Sequence, residues 1–361
     1  MTPDILIIGG GVAGLSAAAH LAPLGSVLLL EAEPQLAYHS SARSAALYEP
    51  HYGNAAIVAL SQASGEFYHG SGFLSPRGVM LVDDAAHRAR FAAHVADFAL
   101  TELSMAEALD LVPILDPAAI AFAGIADSAW DIDTDALLAR WQREARAAGA
   151  EIRTAAPVTA LHRQAGLWQV TAGGAEYTAR IVINAAGAWA DTIAARAGIA
   201  PLGLQPMRRS MARIPAPEGL DVRRWPMIIG GNEDWYMKPD AGALLVSPAE
   251  EDPVPPMDAW ADDMVLAEGL ARFEAAVTMP VTRLLANWAG LRTFAPDRTP
   301  VVGFDPRAEG FFWLAGQGGY GFQSAPAIAR LVRDLIAGRP PEIGAAIADA
   351  VSPLRFRDAF Q

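Results

Sequence analysis

Asp4-Ile5-Leu6-Ile7-Ile8-Gly9-Gly10-Gly11-Val12-Ala13-Gly14 is the stretch that decides how the rest of the chain is read. Asp4 to Ile8 reads as a buried strand, a short apolar run broken at once by glycines that force a sharp turn. Gly9, Gly11 and Gly14 fill a G-x-G-x-x-G frame. The first glycine makes the turn, the second lets backbone approach a pyrophosphate, and the third lets a helix lie on the sheet. That helix is expected from Val12 to about Leu24. The free amides at its start, Val12 and Ala13 among them, face an anion above the turn. A second apolar run, Val27-Leu28-Leu29-Leu30, ends in Glu31 and Ala32, and the Glu31 carboxylate lies about twenty residues beyond the glycines, where it can accept hydrogen bonds from a ribose diol. The same carboxylate repels a 2′-phosphate, so the fingerprint favours FAD or NAD over NADP.

Bulk properties narrow the function further. A chain of 361 residues exceeds one ordinary core, so two domains are expected. A net charge of -13, with no run of Lys and Arg, opposes a nucleic-acid partner. With Cys 0, disulfides, thiolate metal sites and cysteinyl flavin attachment are excluded. Asp131, Asp133 and Asp135 imitate the start of a calcium loop but lack its glycine and distant Glu. No metal is expected there, and Asp133 or Thr134 reads as the cap of a helix running to about Ala148. No basic leader precedes the first strand, and no window is apolar for long enough to span a bilayer. The expectation is a cytoplasmic protein, with peripheral contact at the inner membrane left open.

Further along, His39-Ser40-Ser41-Ala42-Arg43-Ser44-Ala45 offers small residues and hydroxyls that can press against a cofactor. Leu47 to Gly53 reads as a loop because Pro50 and Gly53 break any regular element. Val79 to Val82 reads as a short strand, and Leu167 to Val170 and Tyr177 to Arg180 as a hairpin about Gly173-Gly174. Ile181 to Asn184 returns to the first sheet, and Ala185-Ala186-Gly187 permits close backbone approach to the ADP half of a cofactor. Met207 to Ile214, Met227 to Ile229, Trp235 to Lys238 and Leu244 to Ser247 predict a second, antiparallel sheet. Trp288 to Phe294 is placed back in the nucleotide-binding part, Phe311 to Ala315 is its last strand, and Ser324 is expected to cap the final helix. Lys238 reads as a strand-end surface lysine.

Four segments carry a resemblance: Gly9 to Gly14, His39 to Ala45, Asn184-Ala185-Ala186-Gly187-Ala188-Trp189, and Gly318-Gly319-Tyr320-Gly321-Phe322-Gln323. In order and approximate spacing they resemble the D-amino-acid oxidase superfamily of FAD enzymes, and within it the bacterial D-arginine dehydrogenase type, over essentially the whole chain. The resemblance implies an α/β fold: a Rossmann-like FAD-binding domain of the glutathione-reductase type, with an α+β substrate domain on a mainly antiparallel sheet. The FAD-binding domain would comprise residues 1–46, 128–201 and 286–361, and the substrate domain 47–127 and 202–285.

It also implies non-covalent FAD, contacted by the four segments and by backbone of Val158. His39 raises the alternative of a histidyl link, although a polar contact suffices. Amides of Gly319 to Phe322 would stabilise charge at the flavin's pyrimidine edge after hydride reaches N5. Arg292 matches the family's carboxylate-binding arginine and Arg209 a second arginine near the substrate, with Arg208 pointing the other way by strand alternation. Tyr236 matches a substrate-binding tyrosine and Tyr52 one on a mobile loop. Leu47, Glu49, Val79, Met227 and Gly319 complete the expected pocket. Where the arginine-oxidising pattern has a guanidinium-binding acid and a lid histidine, this chain has Val79 and Leu47, which tilts the expected substrate toward uncharged side chains.

The reading is therefore an FAD-dependent oxidation of D-amino acids to imino acids, then 2-keto acids and ammonia, with quinone or oxygen as acceptor. Glycine, sarcosine or a cyclic secondary amine is the alternative substrate. A non-catalytic flavin or dinucleotide sensor and a plain NAD dehydrogenase are rivals of other classes.

Overall fold

The computed structural model describes residues 3–360. The opening run forms the strand Ile5–Ile8, all four side chains buried, and the helix that follows spans Val12–Leu21, ending a turn before Leu24. Gly9 has a φ of +109°, and a Cβ there would overlap the carbonyl of Ala185. A Cβ on Gly14 would overlap the carbonyl of Gly9, so the helix lies against the strand only because both are glycine.

Six strands make the first sheet, in the order Val301–Phe304, Phe311–Ala315, Ile181–Asn184, Ile5–Ile8, Val27–Leu30, Glu151–Arg153. All pairings are parallel except that of the Val301 edge strand. Alternate residues bury opposite faces. Ile5, Ile7 and Leu29 pack with the first and last helices, while Leu6, Ile8 and Leu28 pack beneath the three-stranded sheet that contains the predicted hairpin. Asp133 caps the helix Thr134–Ala147 by accepting from the Ala136 amide, as expected.

The second sheet has nine strands and is mixed rather than antiparallel throughout: Met227–Gly230 runs parallel to Val79–Asp83. Its longest strand, Gln205–Pro215, pairs residue for residue with Ala286–Phe294. This corrects the placement of Trp288 to Phe294, which form a strand of the second sheet and not of the nucleotide-binding one. The long C-terminal helix, Gly321–Ile336, is capped at Tyr320, four residues before the expected Ser324, and a shorter helix, Ala345–Val351, follows it. The Ser324 hydroxyl instead donates back to the Tyr320 carbonyl.

Lys238 is the clearest reversal. Two residues beyond Tyr236 it faces inward, 4% exposed, and its Nζ donates to Asp131 Oδ1 at 2.6 Å and to the Ala45 carbonyl at 2.9 Å. Arg77 Nε donates to the other Asp131 oxygen at 2.8 Å. Asp131, read from sequence as part of a failed calcium loop, is the shared anion of two cations, the buried Lys238 and the largely covered Arg77. It ties the small sheet of Leu47–Tyr48, Trp130–Ile132 and Leu74–Pro76 to the large one. Asp131→Asn is expected to cost about 3 kcal/mol, because removing one partner strands buried charge. Chemical denaturation of the purified protein measures this, and a loss within experimental error would show the network to be dispensable.

Candidate active site

Strand alternation builds the site. Arg292 pairs with Met207, and Arg209 lies two residues further along the same strand, so both guanidinium-bearing residues occupy one face of the nine-stranded sheet. Tyr236 pairs with Ile229, and Met227 with Val79, on that same face. Arg208 points away and pairs with Asp252 at 2.9 Å. Over this face lies a cavity of about 630 Å³ shared with the glycine turn and the start of the Gly321–Ile336 helix.

From the first sheet the cavity takes Gly11, Val12, Ala13, Ala185 and Gly187, and from the segment after the second strand Ser40, Ser41, Arg43, Ser44 and Ala45. Gly318 to Gln323 closes it from the C-terminal side. Two of the hydroxyls hold this frame together: Ser41 Oγ accepts from the Val12 amide at 3.0 Å, and Ser40 Oγ donates to the Leu291 carbonyl at 2.6 Å. Arg43 spends its guanidinium on Asp258 and on the carbonyls of Ala259 and Ala289. The remaining cofactor candidates lie off the cavity wall. Gly9 and Gly14 form the turn below it, and Glu31 accepts from the Gly10 and Glu33 amides at 2.6 and 2.8 Å. Ala32 follows Glu31, and Val158 starts the next sheet. His39 is 3.0 Å from Glu33 and packs its ring on Trp189, 4.5 Å between centroids.

The residues expected around a substrate, Arg292, Arg209, Tyr236, Tyr52, Leu47, Glu49, Val79, Met227 and Gly319, all line the same cavity. Glu49 lines the cavity with its carboxylate already engaged. It is buried, accepting from the Ser128 hydroxyl at 2.6 Å and from the His51 amide at 3.0 Å. Tyr52 stacks on Phe98 and leans against Tyr320, 5.5 Å away. Met211, Ile229, Phe98, Glu233, Glu251 and Arg298 also line the cavity and were missed. Met211 and Ile229 follow from the same alternation as Arg209 and Met227; the loop residues carry no such signal.

The arginines dominate the electrostatics. Burial lowers the Arg209 pKa, and the like charge of Arg292 lowers it further. For Arg292 burial also opposes the charge, but Tyr52, Tyr236, Tyr320 and Glu251 facing it outweigh that and hold its pKa above the ordinary value. Its nearest acid is Glu251 Oε1 at 3.5 Å, too far for a good hydrogen bond. Burial, and then Tyr52, pushes the Tyr320 phenol up to about 12, so it stays a neutral donor at ordinary pH. Thr293 Oγ1 and Gln317 Nε2, both on the cavity wall, are buried without a partner. The glycine cradle, the amide-rich last loop and these two polar atoms fit a large polar cofactor with its own acceptors and donors.

Comparison with known proteins agrees. Residues 4–335 match the model of a family described as FAD dependent oxidoreductase. The chain is 26% identical to glycine oxidase from Pseudomonas putida, over 95% of this chain and 97% of that protein. Its fold is similar to the crystal structure of glycine oxidase from Geobacillus kaustophilus (TM-score 0.81, 23% identity, 94% of this chain and 96% of that one). It is likewise similar to iminodiacetate oxidase from Chelativorans (TM-score 0.78, 23% identity, 97% and 99%). These relatives support the superfamily expected from sequence, without singling out its D-arginine dehydrogenase type. No helix among the described residues is long and apolar enough to cross a membrane. The chain belongs to the FAD dependent oxidoreductase family, whose members are FAD-binding flavoproteins of the D-amino-acid oxidase type.

Proposed function

We propose that the cavity oxidises a small amino acid at the carbon bearing its nitrogen, with glycine or an N-substituted glycine such as sarcosine as the first choice. The observation that carries this is Arg292, a guanidinium only 16% exposed whose nearest acid is 3.5 Å away. Beside Arg209, it has the planar donor geometry to take a substrate carboxylate in two parallel hydrogen bonds. Holding that carboxylate fixes where the amine-bearing carbon lies, which is the positioning that catalysis needs. FAD, when bound, supplies the hydride acceptor; Gly9, Gly11, Gly14 and the Gly318 to Gln323 loop are the residues that would hold it. The substrate leaves as an imine, which water hydrolyses to a 2-oxo acid and ammonia or an amine. The near full-length likeness to a glycine oxidase supports the small-substrate choice.

A second reading, a D-amino acid with an uncharged side chain, is favoured by the apolar wall of Leu47, Val79, Met211, Met227 and Ile229. A guanidinium is disfavoured there, because Glu49 is already taken by Ser128 and His51 and the other acid on that side, Glu233, is exposed at the rim.

Anaerobic mixing is expected to bleach the flavin fastest with glycine or sarcosine, more slowly with D-Leu or D-Met, and least with D-Arg. A protein that stays colourless when FAD is supplied, or that reacts best with D-Arg, would refute the assignment. Arg292→Ala should keep its flavin and lose about a thousandfold in kcat/KM, roughly 4 kcal/mol, as expected for truncating one side of a buried charge contact. A Cβ on Gly319 would overlap the Arg292 guanidinium. Gly319→Ala should therefore displace the clamp, with kcat/KM falling about a hundredfold while flavin absorbance is retained. Loss of flavin from this variant would instead place Gly319 in cofactor binding alone.

A further inference from the structure

Glu251 touches three guanidiniums at once. Its Oε1 lies 3.3 Å from Arg209, 3.5 Å from Arg292 and 2.9 Å from Arg298, and its Oε2 lies 2.8 Å from Arg298. Two of these arginines are the ones assigned to the substrate carboxylate. We propose that Glu251 is a resident stand-in for that carboxylate: it neutralises the clamp in the empty site, and Arg298 draws it aside when an acid binds. The inference rests on the assignment of Arg292 and Arg209 as the clamp.

These residues differ in freedom to move. Arg209 and Arg292 sit on strands locked in register along their length. Glu251 follows Ala249, whose φ is +53°, and directly precedes the two-residue edge strand Asp252–Pro253, which pairs with Met207 and Arg208, so the freedom to move lies in its side chain and not in its backbone. Its side chain is 34% exposed and that of Arg298 is 46% exposed. Arg298 stands over the Phe294 ring at 3.9 Å and already holds both Glu251 oxygens. Retreat toward Arg298 keeps Glu251 paired, whereas Arg209 and Arg292 cannot follow it. Without an anion between them these two buried like charges repel, so the empty clamp needs an occupant.

Binding then exchanges one carboxylate for another. An amine that lacks an acid group cannot displace Glu251, which makes this residue a determinant of specificity for amino acids over simple amines. The charge of Glu251 also weakens every incoming acid, a cost that its removal would lift.

The test titrates acetate into holoenzyme at fixed ionic strength, following the flavin absorbance shift or the heat of binding. Glu251→Gln is expected to bind acetate about three- to tenfold tighter, the range set by a partly exposed ion pair. Arg298→Ala should bind it more weakly by a similar factor, since Glu251 is then left to Arg209 and Arg292, and should have no effect when combined with Glu251→Gln. Arg292→Ala should weaken acetate in every background. A Glu251 that merely organised the arginines would give weaker binding when substituted. Unchanged or weaker binding by Glu251→Gln, with Arg292→Ala still impaired, overturns the stand-in and leaves the clamp intact. Equal losses from Arg298→Ala in both backgrounds overturn the exchange. If Arg292→Ala binds acetate like the parent, the clamp assignment fails and this inference fails with it.

Discussion

The register between Gln205–Pro215 and Ala286–Phe294 is the constraint on which the site depends. It runs unbroken from the pair Gln205 and Phe294 to the pair Arg213 and Ala286. Sheet side chains alternate with a period of two, so a slip of one residue would turn Arg292 or Arg209 to the other face. That face is packed with Ala212, Ile214, Ala289 and Leu291 against the hydrophobic core behind the large sheet. A guanidinium driven there would lose its hydration with no partner, at a cost of several kcal/mol. The apolar alternation that stabilises the sheet is therefore also what aims two positive charges into the cavity. Fold and chemistry are specified by the same pattern.

Local patterns were the legible part of the chain. The strand, glycine turn and helix at the N-terminus need only residues within some thirty positions of each other, and each glycine has a steric reason that can be stated without a structure. Alternation within one strand likewise turns Arg208 away from Arg209. What was not legible depends on partners distant in sequence. Lys238 looks like a surface residue until Asp131, 107 positions earlier, is brought against it. Trp288 to Phe294 lies near the last nucleotide-domain strands in the chain, yet its hydrogen bonds go to Gln205–Pro215, a pairing no composition rule reports. The Gly321–Ile336 helix is capped at Tyr320 because the Gly318 turn, with φ of +55°, already directs the backbone into it, so the obvious capping residue Ser324 falls inside. Glu251 and Arg298 lie on loops, where no periodicity predicts direction.

Two clusters of buried charge share one face of the large sheet, and their difference separates scaffold from site. Lys238, Asp131 and Arg77 meet at hydrogen-bonding distance, and the rest of the Arg77 fork is taken by the Arg223 and Trp225 carbonyls at 2.9 and 2.8 Å. Every group there has an acceptor or donor, so the cluster fixes the wall of the cavity and has nothing left to offer a ligand. In the Arg209 and Arg292 cluster one Glu251 oxygen is spread over three guanidiniums, at distances that lengthen to 3.5 Å at Arg292. Glu250 beside it has its carboxyl pushed up by burial and one oxygen without a partner. Such incomplete pairing lowers the stability of the folded chain. A fold keeps groups in this state where an incoming ligand completes them, because the interaction withheld from folding is then available for binding. By this criterion the carboxylate of the proposed substrate would be the missing member of the cluster, and the neighbouring lysine, more buried still, belongs to the frame.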